Sequence, residues 1–600
     1  MEGSWLASGF YCLSWVILAG SFFFWKKTEK KSYTVTWFVL TVLLITCYQT
    51  FCAAILNVVG VPINIVSIGL ADLIPAVFFV YHIVRDGKIQ KYCFEIADII
   101  FLALVVVFLL LLCKVHYSGS DLWINFATID PAAHLNAAID VIKDQCVNNM
   151  FYSALFNGLF LETFLPARGM NYVYQSFVLS NILNCGLAGV MFFGVIRRYM
   201  GTRFEKAAGI VIAVLYVAAY PLSNALYGFV YLGMGVTLAL LLIELTRIFL
   251  ADEINPVLSV VLLCLGCLAL FECYMLFVPV VFFAIISCVF VKQWRKKALI
   301  SWKTIILCLG IFLVPCVIEI AYSYFGIFTD GLTVSGQIAS EGAIYRSLYV
   351  NFLPYLPFAL YELISDIREK KNRMVSFLFV YTMLFMALLF AGGMMGKVSS
   401  YYFYKLPYLF WGPLLIMGFL GVLRVAEKAK GIVVCGFSVW LCVFLAGMTG
   451  AEYSVSNTYP LFDTNPALSE TVNDIYISNR TYVTQGGYPY YKVMMYHWAY
   501  ENLLTQGEDL LAFDVFWEAP LLYQAFTSQS LDGCDYASED HISYYEMLRT
   551  CDAEYIVVLT GADSRIYWDN QEYWDSLEKV YENDEGFVAK LDLELLDQYQ

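Results

Sequence analysis

Long apolar stretches separated by short polar loops make up the first 450 residues of this chain. A helix needs about 20 mostly apolar residues to cross the hydrocarbon core of a bilayer. By this criterion the pattern predicts about 14 transmembrane helices. They lie near residues 5–25, 33–57, 62–84, 94–113, 174–196, 207–223, 226–246, 256–271, 274–291, 302–325, 346–364, 374–395, 407–424 and 431–450.

The pattern changes after residue 450. Short apolar runs alternate there with polar segments, as they do in small soluble α/β domains. Residues 555–559 are typical of a buried strand, residues 510–516 and 586–593 predict further strands, and residues 543–551 predict a short helix. The sequence therefore predicts an all-α polytopic membrane protein with a C-terminal soluble α/β domain at 451–600.

Charge follows the same division. Residues 451–600 hold 27 Asp and Glu against 6 Lys and Arg, a net charge of −21, and the rest of the chain holds 23 acids and 30 bases, a net charge of +7. Phosphates would repel so acidic a domain, and this excludes nucleic acid as a partner. Cys534 and Cys551 lie alone in the C-terminal domain, and their spacing leaves open whether they pair.

The loop charges orient the predicted helices. Lys and Arg concentrate in cytoplasmic loops, and every second loop, counted from the first, is basic. These loops lie at residues 26–31, 85–91, 197–206, 247, 292–297, 368–373 and 424–430. The alternation predicts a multi-pass protein of the cell membrane whose N-terminus and C-terminal domain are both extracytoplasmic. The first apolar segment lacks a basic leader, so we interpret it as a transmembrane helix.

The longest loop on the predicted outer side spans residues 114–173. Within it, residues 131–146 carry an apolar stripe at helical spacing, which predicts a helix lying flat on the membrane with its apolar side down. Asp130 followed by Pro131 is a good start for that helix. The helix dipole keeps a carboxylate at this position ionised, so Asp130 is also suited to act as a general base or a metal ligand. His134 follows one turn later, either as a solvated interfacial side chain or as part of the same site.

This long outer loop, the motif Asp130-x-x-x-His134-Leu135, and an α/β domain after the last helix resemble GT-C-type membrane glycosyltransferases. The resemblance implies a polyprenyl-phosphate-linked sugar as donor, with Asp130 activating the acceptor and His134 beside it. Two departures stand out: the loop follows the fourth predicted helix instead of the first, and Pro131 occupies the place of a frequent second acid. We therefore interpret residues 1–93 as additional helices and residues 94–450 as the GT-C-like core, with its catalytic outer loop at 114–173.

The predicted chemistry also needs groups that bind the lipid phosphate. Basic residues are scarce on the predicted outer side, and Arg offers a phosphate two parallel bonds while Lys offers a point charge. The candidates are Arg168, Arg346, Lys397 and Lys405, with Lys143 in the surface helix. Snorkelling at the membrane interface is the alternative for Lys405 and Arg168. Candidates for a second acid are Glu162, Glu272 and Glu319, so the sequence leaves open whether a divalent cation, Mg²⁺ or Mn²⁺, takes part.

The leading hypothesis is a glycosyltransferase that acts on the outer face of the membrane. Its partners would be a polyprenyl-phosphate-sugar donor, a glycan, lipid or protein acceptor, and membrane lipid. A lipid-linked polysaccharide polymerase or flippase would use the same outer cations without needing Asp130. A solute transporter would instead need polar groups that converge at mid-membrane, for which Asp72 and Glu319 give little support.

Overall fold

A computed structural model describes the greater part of the chain. The described residues are 4–28, 30–116, 130–147, 151–168, 173–295, 355–395, 400–450, 495, 498–499, 502–503, 506–512, 548–550, 553–561 and 565–599. The predicted helix at 302–325 and the first part of the one at 346–364 lie outside these residues.

Helices fill the described part of residues 4–450. The first seven are α1 (Trp5–Phe24), α2 (Thr34–Val58), α3 (Ile65–Asp86), α4 (Ile96–His116), α5 (Asp130–Asp144), α6 (Phe151–Arg168) and α7 (Val173–Ile196). The next eight are α8 (Arg203–Ala218), α9 (Tyr220–Tyr227), α10 (Val230–Leu250), α11 (Pro256–Cys273), α12 (Val278–Arg295), α13 (Leu356–Arg368), α14 (Met374–Met394) and α15 (Ser400–Gly450). Among the described residues, ten helices are long and apolar enough to cross a membrane, and Ile96–Leu110 is a shorter apolar one. The predicted polytopic helical class is confirmed.

One predicted span is interrupted in the structure, and two others lie end to end in one element. The span predicted at 207–223 is divided into α8 and α9 at Ala219, whose φ of −105° and ψ of −106° are not helical. Pro221 lies in the first turn of α9, where its missing N–H costs no helical hydrogen bond. The spans predicted at 407–424 and 431–450 are two helical stretches of α15, separated by a kink at Ala429, whose φ of −144° and ψ of 51° are not helical.

The basic loops meet on one face of the bundle, which we call the basic face. Lys30 Nζ, in the loop after α1, lies 2.6 Å from the carbonyl oxygen of Ala251, which follows α10. Glu95, before α4, lies 2.6 Å from Lys206 in α8. Further ion pairs on this face join Arg198 to Glu253, Lys292 to Asp252, Arg373 to Glu362 and Arg424 to Glu362. Loops that were predicted to share one side of the membrane therefore contact one another.

Helix α5 packs against protein, so the prediction that its apolar stripe faces lipid is wrong. Leu135 and Ile139 are each 1% exposed and belong to the same apolar core as α2 and α7. Helix α6, which lies in the predicted outer loop, packs against α5. Gly158 of α6 permits this close approach, because a Cβ there would lie 2.9 Å from the Cβ of Val141. The outer loop thus contains two helices that are part of the bundle.

The C-terminal region contains a small sheet of four strands, β1 (Leu510–Ala512), β2 (Tyr555–Leu559), β3 (Lys579–Asn583) and β4 (Gly586–Lys590). Their order is β1–β2–β4–β3, with β1 parallel to β2 and the other pairs antiparallel. Helices α16 (Arg565–Asp569), α17 (Gln571–Ser576) and α18 (Leu593–Tyr599) accompany it. The strand predicted at 586–593 ends at Lys590, and Trp574 of α17 is fully buried in the core. A mixed α/β fold is confirmed for these residues.

Candidate functional site

His134 is buried in the bundle. Its side chain is 2% exposed, and its ring centre lies 4.7 Å from that of Tyr231 at the start of α10. Neither ring nitrogen has a hydrogen-bond partner among the described residues. Burial and, to a smaller extent, the positive charge of Lys405 lower the pKa of His134 to about 3. The interpretation of His134 as a solvated interfacial side chain is therefore wrong.

Lys405, in the second turn of α15, lies close enough to His134 for its charge to act on that imidazole. The lysine is fully buried, and its Nζ lies 3.6 Å from the ring centre of Phe229, the residue that precedes α10. A cation over an aromatic face is attracted by the ring quadrupole, most strongly when water is excluded. The side chain therefore does not snorkel to the membrane surface, which was the alternative for Lys405.

The start of α10 and the turn between α11 and α12 contribute aromatic residues to the same place. Tyr231 lies 5.2 Å from Tyr274, measured between ring centres, and its carbonyl oxygen accepts a bond from Cys273. Gly235 in α10 makes room for this contact, since a Cβ there would lie 2.9 Å from the Cβ of Tyr274. Glu272, 7% exposed, stands in the last turn of α11. His134, Lys405, Phe229, Tyr231 and Tyr274 form what we call the His134–Lys405 site.

This site lies at the end of the bundle opposite the basic face. On α15, Lys405 precedes Arg424, a basic-face residue, by 19 positions. At 1.5 Å per residue that separation is about 28 Å, close to the thickness of the hydrocarbon core. On α10, Tyr231 and Arg247 are separated by 16 positions, or about 24 Å. The site and the basic face therefore lie near opposite membrane surfaces.

Of the remaining candidate site residues, Glu162 has a described side chain, and it lies at the start of α3. Asp130 is the first residue of α5 and Arg168 the last of α6, and their side chains lie outside the described part of the structure. Glu162 of α6 lies at the start of α3, where its Oε2 accepts a bond of 3.1 Å from the backbone N–H of Ile65. Burial raises the pKa of Glu162 to about 7. The other candidates, Glu319, Arg346 and Lys397, lie outside the described residues.

Sequence reasoning missed the aromatic part of the site. Phe229, Tyr231 and Tyr274 all stand at ends of apolar runs, where Tyr and Trp normally form an interfacial belt. Their position beside predicted outer loops was the one feature of the sequence that pointed to the site. It did not distinguish residues facing lipid from residues facing α5.

The described residues offer little to a metal ion. No group of three His, Cys, Asp or Glu side chains among them comes together in a way that would hold one. Among the described side chains, contacts place His134 and Lys405 in the site, and a buried cation such as Lys405 repels a second cation. This set of donors does not fit a divalent cation.

Solved structures with a similar fold exist. ArnT from Cupriavidus metallidurans, in the apo state and bound to undecaprenyl phosphate, matches with a TM-score of 0.50 and 12% identity over 83% of this chain and 98% of that chain. The chain has a GT-C-type fold. Because the match covers nearly all of ArnT, the GT-C fold accounts for most of the present bundle.

The oligosaccharyltransferase of Archaeoglobus fulgidus, in the apo form, matches with a lower TM-score of 0.41. The identity is 11% over 79% of this chain and 70% of that chain. No protein-family model and no curated protein sequence matches the chain. The GT-C fold is thus recognised from structure, and the activity has to be argued from the site.

Proposed function

We propose that this protein is a membrane glycosyltransferase that moves a sugar from a polyprenyl-phosphate carrier to an acceptor in the cell envelope. The observation that carries the proposal is the burial of His134 beside Lys405 of α15. His134 lies on α5, the helix that begins with Asp130. The fold shared with ArnT, which has been solved with undecaprenyl phosphate bound, supports a lipid phosphate as the leaving group.

The proposed reaction is a direct displacement. Asp130 takes the proton of the acceptor hydroxyl, and the acceptor oxygen forms a bond to the anomeric carbon of the sugar. The bond between that carbon and the phosphate oxygen breaks, and its electron pair leaves with polyprenyl phosphate. General bases of this kind contribute about 10²- to 10⁴-fold to a rate.

Lys405 is assigned to the departing phosphate. Charges interact more strongly in a site from which water is excluded, and Lys405 is fully buried. A preorganised positive charge at the phosphate stabilises the negative charge that develops as the glycosidic bond breaks. Lys405 thereby supplies the positive charge that a divalent cation would otherwise bring, and no step is assigned to a metal.

His134 is assigned to substrate positioning. Its low pKa keeps the imidazole neutral at physiological pH, so it acts through hydrogen bonds without carrying a charge. Buried polar groups normally have hydrogen-bond partners. Both ring nitrogens of His134 lack a hydrogen-bond partner among the described residues. A sugar hydroxyl or a phosphate oxygen of the substrate would supply that partner.

The proposed topology follows from the same geometry. The His134–Lys405 site faces the outer side of the cell membrane, and the basic face lies toward the cytoplasm. Both termini are then extracytoplasmic, and the acidic domain at 451–600 lies on the side of the site. Residues 1–93 add three helices to the core at 94–450, and α2 packs into the same apolar core.

The experiment is transfer by Asp130→Asn in proteoliposomes. A panel of undecaprenyl-phosphate-linked sugars serves as donor, an envelope-lipid extract serves as acceptor, and release of undecaprenyl phosphate is the readout. We expect a loss of about 10²- to 10⁴-fold with unchanged insertion. The matched control is Asp144→Asn, an exposed acid at the other end of α5, which should keep full activity. Full activity in Asp130→Asn would refute the assignment.

A further inference from the structure

A cavity of about 480 Å³ opens on the basic face, far from the His134–Lys405 site. Four cationic side chains and two acidic ones line it, so its lining is positively charged. These are Arg247, Lys292, Arg295 and Arg373, with Glu244 and Asp252. Arg247 lies in the last turn of α10, and Lys292 and Arg295 lie in the last turn of α12. The cations thus stand where transmembrane helices reach the membrane surface.

The rest of the wall is apolar and belongs to the helices themselves. Val195, Ile243, Val375 and Ile416 come from α7, α10, α14 and α15, and each is at most 5% exposed. The cavity therefore joins a charged mouth at the interface to an apolar interior. An inorganic anion would use only the mouth, whereas a lipid has a charged head and an apolar chain that match both parts.

Three of the four cations are held in place by acidic partners, Arg373 through ion pairs of 2.8 Å to Glu362 and 3.1 Å to Asp366. Lys292 Nζ lies 2.6 Å from Asp252 Oδ1, and Arg247 is bonded to Glu244 at 3.0 Å. Arg295 differs, because among the described residues it donates only to the backbone carbonyl of Lys370. Its charge has no acidic partner there, so it is available to an anion that enters the cavity.

We propose that this cavity binds the phosphate headgroup of an anionic phospholipid. The phosphate lies among Lys292, Arg295 and Arg373, and the start of an acyl chain follows the apolar wall. Guanidinium groups bind phosphate through parallel, charge-assisted hydrogen bonds. A volume of 480 Å³ is typical of a small-molecule site and exceeds the need of a single phosphate ion. Basic pockets between transmembrane helices are suited to anionic headgroups.

The test is native mass spectrometry of the full-length protein with added phosphatidylglycerol or phosphatidylcholine. We expect the wild type to retain phosphatidylglycerol preferentially. Lys292→Gln combined with Arg295→Gln should weaken retention roughly 30-fold, the effect of two cations at about 1 kcal/mol each. Arg295→Gln alone changes an exposed side chain and should weaken retention about fivefold.

The matched control is Lys91→Gln combined with Arg203→Gln. Both residues are exposed cations of the basic face outside the cavity, and their replacement removes the same charge. This control should retain the lipid as the wild type does. Equal retention by the cavity variants, or equal losses in the control, would overturn the proposal. Displacement by inorganic phosphate with no preference between the two lipids would overturn the assignment to a lipid. None of these outcomes depends on transferase activity.

Discussion

Gly158→Ala tests whether the contact between α5 and α6 positions the His134–Lys405 site. A methyl group at this position would lie 2.9 Å from Val141 Cβ and 3.1 Å from the carbonyl oxygen of Ala138. Carbon atoms in contact normally lie about 3.5–4.0 Å apart. One of the two neighbours is backbone, so α5 as a whole has to move by about 0.5–1 Å.

Two opposing effects set the magnitude. Alanine favours a helix over glycine by about 1 kcal/mol, whereas an extra methyl group in a packed core costs about 1–3 kcal/mol. We therefore expect a net destabilisation of about 1 kcal/mol. Catalysis should suffer more, because a displacement of about 1 Å at a reacting group costs about 10²-fold in rate. Helix α5 carries both Asp130 and His134, so its displacement moves both.

The assay pairs thermal unfolding in detergent with the transfer assay. Gly20→Ala in α1 is the matched control, because nothing lies within 4 Å of a Cβ at that position. The control should unfold at the same or a higher temperature and keep its activity. If Gly158→Ala behaved like the control in both measurements, α5 and α6 would not pack against each other at Gly158 and Val141.

Two further predictions concern single charges. Lys405→Met should reduce transfer by about 10²- to 10³-fold. It should not lower the unfolding temperature, because burying a charge opposes folding. The control is Lys428→Met, which changes an exposed lysine of the same helix and should leave transfer unchanged. The pKa of Glu162 is raised in the fold, so its contribution to stability is complete below about pH 4.5 and is lost as the pH rises through about 7. Glu162→Gln should therefore unfold at increasingly higher temperatures than the wild type from pH 5 to pH 8, and a constant difference would contradict this.

The transmembrane helices were predictable because their signal is local. An apolar run such as α2 or α10 is long enough to identify a span whatever it packs against. Helix α6 gave no such signal, since Asn157, Glu162 and Pro166 interrupt its apolar residues. Its polar residues are accommodated by distant partners: Asn157, for example, accepts a bond of 2.6 Å from Ser180 of α7. Such partners are visible only in the folded bundle.

The candidate site was likewise predictable only in part, because some of its residues are close in sequence and others are not. The motif from Asp130 to His134 could be recognised because its residues lie one turn apart. The sequence singled out Lys405 as well, but it did not show that this lysine lies beside His134. The edge strand β3 is a comparable omission in the C-terminal domain, because its exposed, charged residues give no alternation of apolar and polar positions.

The ion pairs of the basic face have a consequence for the biogenesis of the protein. Insertion orients a chain by counting Lys and Arg near the membrane, and Asp and Glu contribute little to that count. Acids such as Asp98 and Glu244 can therefore lie close to the basic loops in the chain without weakening the orienting signal. After insertion the same acids are buried and bonded to Arg197 and Arg198. In the proposed topology, these cations first orient the chain during insertion and afterwards hold the helix ends together through ion pairs.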